Sequence, residues 1–168
     1  MGSDGTPAGE HGLRERATYD PGMGPIRLGI AIPRPVEHVW NEVSRLDRHA
    51  EWMADARSIE FHGAARSGLG TTMRVATRFG PLRTTDTIVV TAWEPLRRIE
   101  VEHRGRFTGR GAFRLDPAGP GATRFTWEEQ VRFPWYLGGP LGALAARPLF
   151  RFVWRRNLER FRSRLSAP

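Results

Sequence analysis

The sequence of 168 residues contains neither cysteine nor lysine. Without cysteine there are no disulfides, no thiolate catalysis and no cysteine-based metal site. Without lysine, a Schiff-base mechanism and a lysine general base are excluded as well. All 26 basic residues are arginine, which is typical of proteins from very GC-rich genomes. The net charge of +8 is therefore weak evidence for a nucleic-acid partner.

Long apolar segments are also missing. No stretch approaches the roughly 18 consecutive apolar residues of a membrane-spanning helix, and residues 1–24 lack the apolar run of a signal peptide. We therefore expect a cytoplasmic protein without a membrane span. Residues 1–24 are rich in glycine and proline and show no periodicity, which predicts a disordered or loosely ordered tail. A hydrophobic fraction of 39% with 10% aromatics indicates that residues 25–166 form one globular domain.

The first elements after the tail are short. Alternating hydrophobic residues predict a strand over 26–32. Pro35 is well placed as the first residue of a helix. The apolar positions of that helix have helical spacing: Val36, Val39, Trp40 and Val43. Asp47 is a candidate N-cap for a second short helix that carries Trp52 and Met53.

From about residue 56 the hydrophobic period changes to two. Six strands follow, and their short connections favour an antiparallel meander. Positions that share one face of their strand are Ile59 and Phe61; Met73, Val75, Thr77 and Phe79; Asp86, Ile88, Val90 and Ala92; Ile99, Val101 and His103; Phe107, Gly109, Gly111, Phe113 and Leu115; and Phe125, Trp127, Glu129, Val131 and Phe133. Because Gly109 and Gly111 carry no side chain, they predict either a sharp bend with room inside or two weak points in an edge strand.

The last predicted element is a long helix. It follows a Gly-Pro-rich linker over 135–142, interpreted either as a lid or as an ordinary loop, and runs to about Leu165. Its apolar stripe consists of Phe150, Val153, Trp154, Leu158, Phe161 and Leu165. This stripe has one place to be buried, the concave face of the sheet. The opposite face is rich in arginine, and we interpret it as solvated, with a surface for phosphates or a membrane as the alternative.

The order of elements predicts an α+β fold in which a curved antiparallel sheet of about seven strands wraps around the C-terminal helix, with two short helices after the first strand. Several short segments have the same order and spacing as in a known superfamily: Pro35-Val36-Glu37-His38-Val39-Trp40, Leu46-Asp47-Arg48-His49-Ala50-Glu51-Trp52-Met53, Gly68-Leu69-Gly70-Thr71, Trp93-Glu94-Pro95-Leu96-Arg97-Arg98, Thr123-Arg124-Phe125-Thr126-Trp127-Glu128-Glu129 and Arg156-Asn157-Leu158-Glu159-Arg160-Phe161. From about Pro25 to Leu165 the chain thus resembles the START-like (SRPBCC) helix-grip superfamily of lipid-transfer domains, pathogenesis-related proteins and polyketide cyclase/dehydrase-type proteins.

The resemblance implies a cavity between sheet and helix that takes a sterol, lipid, polyketide or quinone-like molecule, in binding proteins and enzymes alike. The expected ligand-binding residues are Trp52, Met73, Val75, Thr77, Asp86, Ile88, Val90, Val101, Gly111, Phe113, Trp127, Leu149, Phe152, Val153 and Arg156. For the aromatic members, ordinary core packing is the alternative. We predict no cofactor and no metal, because the five histidines lack the spacing of a metal site.

Three ionisable residues share a face with hydrophobic neighbours: Glu129, His103 and Asp86. If that face points inward, burial raises the pKa of a carboxylate by up to roughly 3–5 units. Such a carboxylate beside a histidine suits general acid–base catalysis, as a dehydrating cyclisation requires, so Glu129 and His103 are the candidate catalytic pair. The alternative is a half-exposed position near a strand end, or a pair with an arginine such as Arg156.

Two functions follow from these residues. The first is a binding or carrier protein for a small hydrophobic molecule, and the second is a cyclase or dehydratase acting on a polyketide-like substrate, which would be a lyase or an isomerase. Aromatase/cyclases of this fold commonly use arginine and tyrosine in the cavity, and the predicted inward faces contain neither. Convergence of Glu129 and His103 in a deep cavity would favour the enzyme. A third hypothesis, nucleic-acid binding through the basic helix, is disfavoured, and we expect no nucleic-acid partner.

Overall fold

The computed structural model describes residues 24–166, so the predicted tail lies, apart from Gly24, outside the described residues. Seven strands form one antiparallel sheet: β1 (Ile26–Ile32), β2 (Ala56–His62), β3 (Thr72–Phe79), β4 (Leu82–Glu94), β5 (Arg98–Arg104), β6 (Thr108–Pro117) and β7 (Thr123–Arg132). Their order in the sheet is β1-β7-β6-β5-β4-β3-β2. The predicted helix-grip fold and the antiparallel meander from β2 to β7 are confirmed.

The first strand completes the sheet at its far edge. β1 pairs with β7 in a continuous register from Ile26 opposite Glu129 to Ile32 opposite Thr123. The remaining strands each pair with the strand that follows them in the chain. Register shifts within β2 and β4 mark bulges, and bulges bend the strands that carry them.

Two short helices follow β1. Helix α1 (Val36–Val43) begins one residue later than predicted, because Pro35 has an extended ψ of 155° and is the N-cap, and it buries Val39, Trp40 and Val43. A 3-10 helix then spans Leu46–Glu51 with Arg45 as its N-cap. The prediction that Asp47 caps this helix is wrong, because the Arg48 N–H donates to the Arg45 carbonyl at 3.0 Å, which places Asp47 inside the first turn. Trp52 and Met53 accordingly come after the helix and not within it.

The C-terminal helix begins earlier than its hydrophobic pattern indicates. A short 3-10 turn (Trp135–Leu137) leads into α2 (Gly139–Ser166), so the predicted linker over 135–142 is largely helical. Gly138 has a φ of 84°, which reverses the chain between the two elements at low cost for glycine. No helix among residues 24–166 is long and apolar enough to cross a membrane.

The core lies between α2 and the sheet. Its most buried part is an aromatic cluster around Trp52, which contacts Phe125, Trp127 and Phe161 at ring distances of 6.4, 6.0 and 4.8 Å. Phe125 and Phe161 have no exposed surface. Each such ring stabilises the fold by roughly 1.5–3 kcal/mol through burial. This cluster fixes α2 across the sheet and thereby sets the space beside it.

One polar link also joins α2 to the loop before β2. Asn157 is fully buried on α2 and accepts a hydrogen bond from the Ala54 N–H at 3.0 Å. Its amide Nδ2 donates to the Asp55 Oδ1 at 2.6 Å. The side chain thus uses both its acceptor and its donor groups, which a buried amide requires to be stable.

Candidate functional site

A cavity of about 150 Å³ lies between the sheet and α2. Its walls are mainly apolar, and their members come from the 3-10 helix and the loop after it, from strands β2 to β7 and from α2. The lining residues are Leu46, His49, Met53, Asp55, Ala56, Ile59, Met73, Val75, Thr77, Phe79, Leu82, Thr84, Asp86, Ile88, Ile99, Val101, His103, Phe107, Phe113, Trp127, Glu129, Val131, Phe150 and Trp154. An apolar cavity with a few polar side chains is the usual form of a small-molecule site.

Many of the predicted ligand-binding residues line this cavity. Side chains of alternate residues point to the same face of a strand, so the period-two positions of six strands meet here. The predicted members that line it are Met73, Val75, Thr77, Asp86, Ile88, Val101, Phe113 and Trp127, together with the candidate pair His103 and Glu129. Trp52, Val90 and Gly111 are buried without being cavity-lining residues.

The predicted residues of α2 are placed differently. Leu149, Phe152 and Arg156 are exposed on the outer side of the helix, and Val153 packs against the core. The prediction that Leu149, Phe152 and Arg156 lie at the cavity is therefore wrong. Phe150 and Trp154 line the cavity instead, because α2 is rotated so that these two rings face the sheet. The N-terminal half of α2 has hydrophobic residues on both sides, so its sequence pattern does not identify the inner one.

His103 and Glu129 converge in the cavity wall. The Nε2 of His103 lies 2.9 Å from the Oε1 of Glu129. The geometry at these two atoms does not meet that of a hydrogen bond, so the contact is a close ion pair. The other carboxylate oxygen, Oε2, accepts a hydrogen bond of 3.0 Å from the indole N–H of Trp127. Trp127 therefore fixes the carboxylate while Oε1 remains directed at the imidazole.

The absence of a side chain at Gly111 allows this contact. His103 is on β5 and Glu129 is on β7, and the intervening strand β6 places Gly109 beside His103 and Gly111 beside Glu129. A Cβ atom at Gly111 would lie 2.6 Å from Glu129 Oε2 and 3.1 Å from Val101 Cγ2. The two side chains thus meet over a strand that offers no side chain between them.

The charge state of His103 is set by competing effects. Burial by itself lowers the pKa of a histidine, but the adjacent Glu129 carboxylate and the more distant Asp86 carboxylate outweigh it, so the pKa of His103 is raised above its ordinary value. The protonated imidazole is thereby favoured beside the carboxylate. A positive donor and a negative acceptor then stand side by side at an apolar cavity.

Asp86 has a different environment from Glu129. Its Oδ1 accepts hydrogen bonds from the backbone N–H groups of Arg106 at 2.6 Å and Phe107 at 3.4 Å. Its Oδ2 accepts one from the Thr84 hydroxyl at 2.8 Å. Oδ1 is thus held by the turn between β5 and β6, and Oδ2 by Thr84 on the same strand as Asp86. Asp86 lines the cavity mainly as a fixed negative charge.

Two further ionisable residues line the cavity and were not identified from the sequence. The buried ring of His49 donates from Nε2 to the Val43 carbonyl at 2.7 Å, and burial lowers its pKa to about 4. Burial raises the pKa of Asp55, against the opposing hydrogen bond from Asn157. Both residues lie in or just after the 3-10 helix, where no period-two pattern indicates which side chains point inward.

Comparisons with known proteins agree with this architecture. A family described as polyketide cyclase / dehydrase and lipid transport matches residues 23–166. A protein of Thermus thermophilus is similar over 84% of this chain and 96% of its own, with 20% identity and a TM-score of 0.67. The Zhui aromatase/cyclase of Streptomyces sp. R1128 is similar over 84% and 92%, with 16% identity and a TM-score of 0.63.

A START superfamily protein of Mycobacterium smegmatis is similar over 85% of this chain and 97% of its own, with 13% identity and a TM-score of 0.66. At these identities the solved structures establish a shared fold and nothing finer. No curated protein is significantly similar in sequence.

Proposed function

The chain belongs to the polyketide cyclase/dehydrase and lipid transport family, and on this premise we propose that it binds a small hydrophobic molecule between its sheet and α2, as a binding or carrier protein. The observation that carries the proposal is the apolar cavity beside the aromatic cluster. A core that served stability alone would fill this space, because an unfilled volume costs roughly 24 cal/mol per Å³. A retained cavity of this kind is therefore best explained by an occupant.

The size of the cavity limits that occupant. Its volume of about 150 Å³ resembles that of an engineered apolar cavity, ~150 Å³, that admits benzene. One aromatic ring, such as the ring of a quinone, fits without rearrangement. Met53 and Met73 are flexible lining side chains, and their movement would admit a longer polyketide-like or lipid-like molecule.

Binding is tested on protein purified from its own host. Native mass spectrometry is expected to detect a co-purifying hydrophobic compound. In a second assay, benzoquinone is expected to quench the fluorescence of the cavity residues Trp127 and Trp154. Val101→Phe fills the cavity and should abolish both signals. Val89→Phe is the matched control, because Val89 lies on the neighbouring strand outside the cavity lining. Equal quenching in both variants, with nothing bound from the host, would contradict the proposal.

A second candidate function is catalysis by the His103–Glu129 pair, and the 2.9 Å contact between their side chains supports it. In a dehydration, the Glu129 carboxylate would take a carbon-bound proton from the ligand, and protonated His103 would donate a proton to the departing hydroxyl, releasing water. Return of the proton from Glu129 to His103 across their contact would restore the pair. If His103 instead gave its proton to a different carbon of the ligand, no water would leave and the product would be an isomer.

Glu129→Gln separates the two functions. Glutamine keeps the size of the side chain and an oxygen for the Trp127 N–H, so ligand binding is expected to persist. It cannot act as a base, and turnover should fall roughly 100-fold or more. Turnover that is unchanged in Glu129→Gln would remove the enzyme hypothesis while leaving the binding proposal intact.

A further inference from the structure

The exposed hydrophobic residues are concentrated in one segment. Of the large hydrophobic side chains that are exposed among residues 24–166, two lie elsewhere, at Leu69 and Leu96. The other six lie between the end of β7 and the middle of α2: Trp135, Tyr136, Leu141, Leu144, Leu149 and Phe152. We call these six residues the apolar ridge. A concentration of exposed hydrophobic side chains in one segment is typical of an interaction site.

Four of the six ridge residues lie on the side of α2 that faces away from the sheet, and Trp135 and Tyr136 lie in the 3-10 turn before it. The buried residues of this part of α2 are Ala143, Phe150 and Trp154. Leu141, Leu144, Leu149 and Phe152 lie on the opposite side, because about 3.6 residues make one helical turn. At the start of the ridge the rings of Trp135 and Tyr136 contact each other at 5.9 Å. Trp135 is 86% exposed although its side chain is among the most hydrophobic in the protein.

The charged side chains within the stretch that carries the ridge are all positive. Between Gln130 and Glu159 the sequence contains no aspartate or glutamate, whereas α2 carries Arg147, Arg151, Arg155 and Arg156 in this region. Within the described part of the chain, no ion pair involves these four arginines. The Arg156 guanidinium lies 5.7 Å from the centre of the Phe152 ring, which places a cation directly at the ridge.

From these observations we propose that the apolar ridge and its arginines dock the protein on the surface of an anionic lipid membrane. Trp135, the leucines and Phe152 would enter the interface between headgroups and acyl chains, and the arginines would contact the lipid phosphates. Tryptophan and tyrosine suit this boundary because each has an apolar body and a polar tip. The proposal does not depend on what the cavity binds.

A second copy of the chain is the other occupant that such a surface suggests. In a two-fold symmetric dimer each copy would contribute the same surface. The arginines of both copies would then face one another without an acidic partner, because this stretch contains none. An anionic membrane instead offers negative charge beside an apolar layer, so charge complementarity favours lipid.

The test is co-sedimentation of the full chain with vesicles of phosphatidylcholine, with and without phosphatidylglycerol. We expect binding to the anionic vesicles, weaker binding to the neutral ones, and a decrease at high salt. Leu141→Ser should weaken binding to anionic vesicles roughly tenfold. Leu69→Ser is its matched control, because Leu69 is 73% exposed and Leu141 is 77% exposed.

The electrostatic part of the proposal has its own pair of variants. Arg151→Gln with Arg155→Gln should weaken binding to anionic vesicles roughly tenfold or more. Arg110→Gln with Arg124→Gln removes the same charge from exposed positions on the sheet and should leave binding unchanged. Equal losses in both pairs, or no sedimentation with either vesicle, would overturn the proposal. So would a dimer in solution that Leu141→Ser dissociates.

Discussion

The two walls of the cavity favour opposite charge states of the ionisable groups that line them. On the side of the 3-10 helix, burial lowers the pKa of His49 to about 4 and raises the pKa of Asp55, so burial shifts both groups toward their neutral forms. On the sheet side, the pKa of His103 is raised and its charged form is favoured. His49 donates to a neutral carbonyl, whereas His103 faces the Glu129 carboxylate. Burial is common to both walls, and the partner decides which charge state is stable.

The largest expected effect concerns His49. Its ring remains neutral in the folded protein down to about pH 4, whereas a histidine in the unfolded chain takes up a proton near pH 6.5. The unfolded state thus binds more protons between these values, and the free energy of unfolding contributed by His49 falls as the pH falls. We expect a loss of about 3 kcal/mol between pH 6.5 and pH 4.

Urea denaturation across this pH range measures the effect. His49→Gln should remove the His49 part of the pH dependence, although its stability at neutral pH is also lower because the ring contacts are lost. His62→Gln is the control, because His62 is exposed on β2. A pH profile for His49→Gln that runs parallel to that of the unmodified protein would contradict the assignment of His49 as a buried neutral group.

Gly111→Ala should make His103 on the sheet more like His49 beside the 3-10 helix, with its neutral form favoured. The new methyl group displaces the Glu129 carboxylate, and overpacking of this kind costs about 2 kcal/mol. Moving Glu129 away leaves burial as the main influence on His103, so the pKa of His103 should fall. Gly29→Ala is the matched control, because the nearest atom to its Cβ lies at an ordinary distance of 3.5 Å.

Two measurements report on Gly111→Ala. An NMR titration of the His103 ring should give a lower pKa than in the unmodified protein. The raised pKa of His103 also stabilises the fold below about pH 6.5, and this contribution is lost as the pH rises through the raised value. That alkaline decrease should be smaller in Gly111→Ala. If the titration of His103 does not change, Glu129 is not what keeps it charged.

Thr84→Val has the smallest expected effect. It removes the hydroxyl that donates to Asp86 but leaves the two backbone donors in place. A decrease of about 1 kcal/mol in the free energy of unfolding is expected. Thr85→Val, at an exposed position, should cost less. Urea denaturation of the two variants distinguishes a carboxylate fixed by its hydrogen bonds from one that is merely buried.

The sequence predicts the strands and the sheet-side wall well, for a physical reason. In a strand, a period of two assigns each residue to a face, so Glu129 and His103 are recognised as polar residues on an otherwise apolar face. Irregular segments lack such a rule. His49 and Asp55 lie in one of these, and their inward direction depends on tertiary contacts such as the hydrogen bond from Asn157. For α2, hydrophobic residues on both sides make its rotation depend on packing against the aromatic cluster.

The pairing of β1 with β7 has a consequence for synthesis of the chain. The partners Ile26 and Glu129 lie roughly a hundred residues apart, whereas every other strand pairs with its neighbour in sequence. At ~5–20 residues per second, a ribosome takes about 5–20 s to make the intervening segment. During that time the backbone edge of β1 lacks its partner strand β7. β1 can therefore join the sheet only after β7 has been made, and until then its unpaired edge is open to association with other chains.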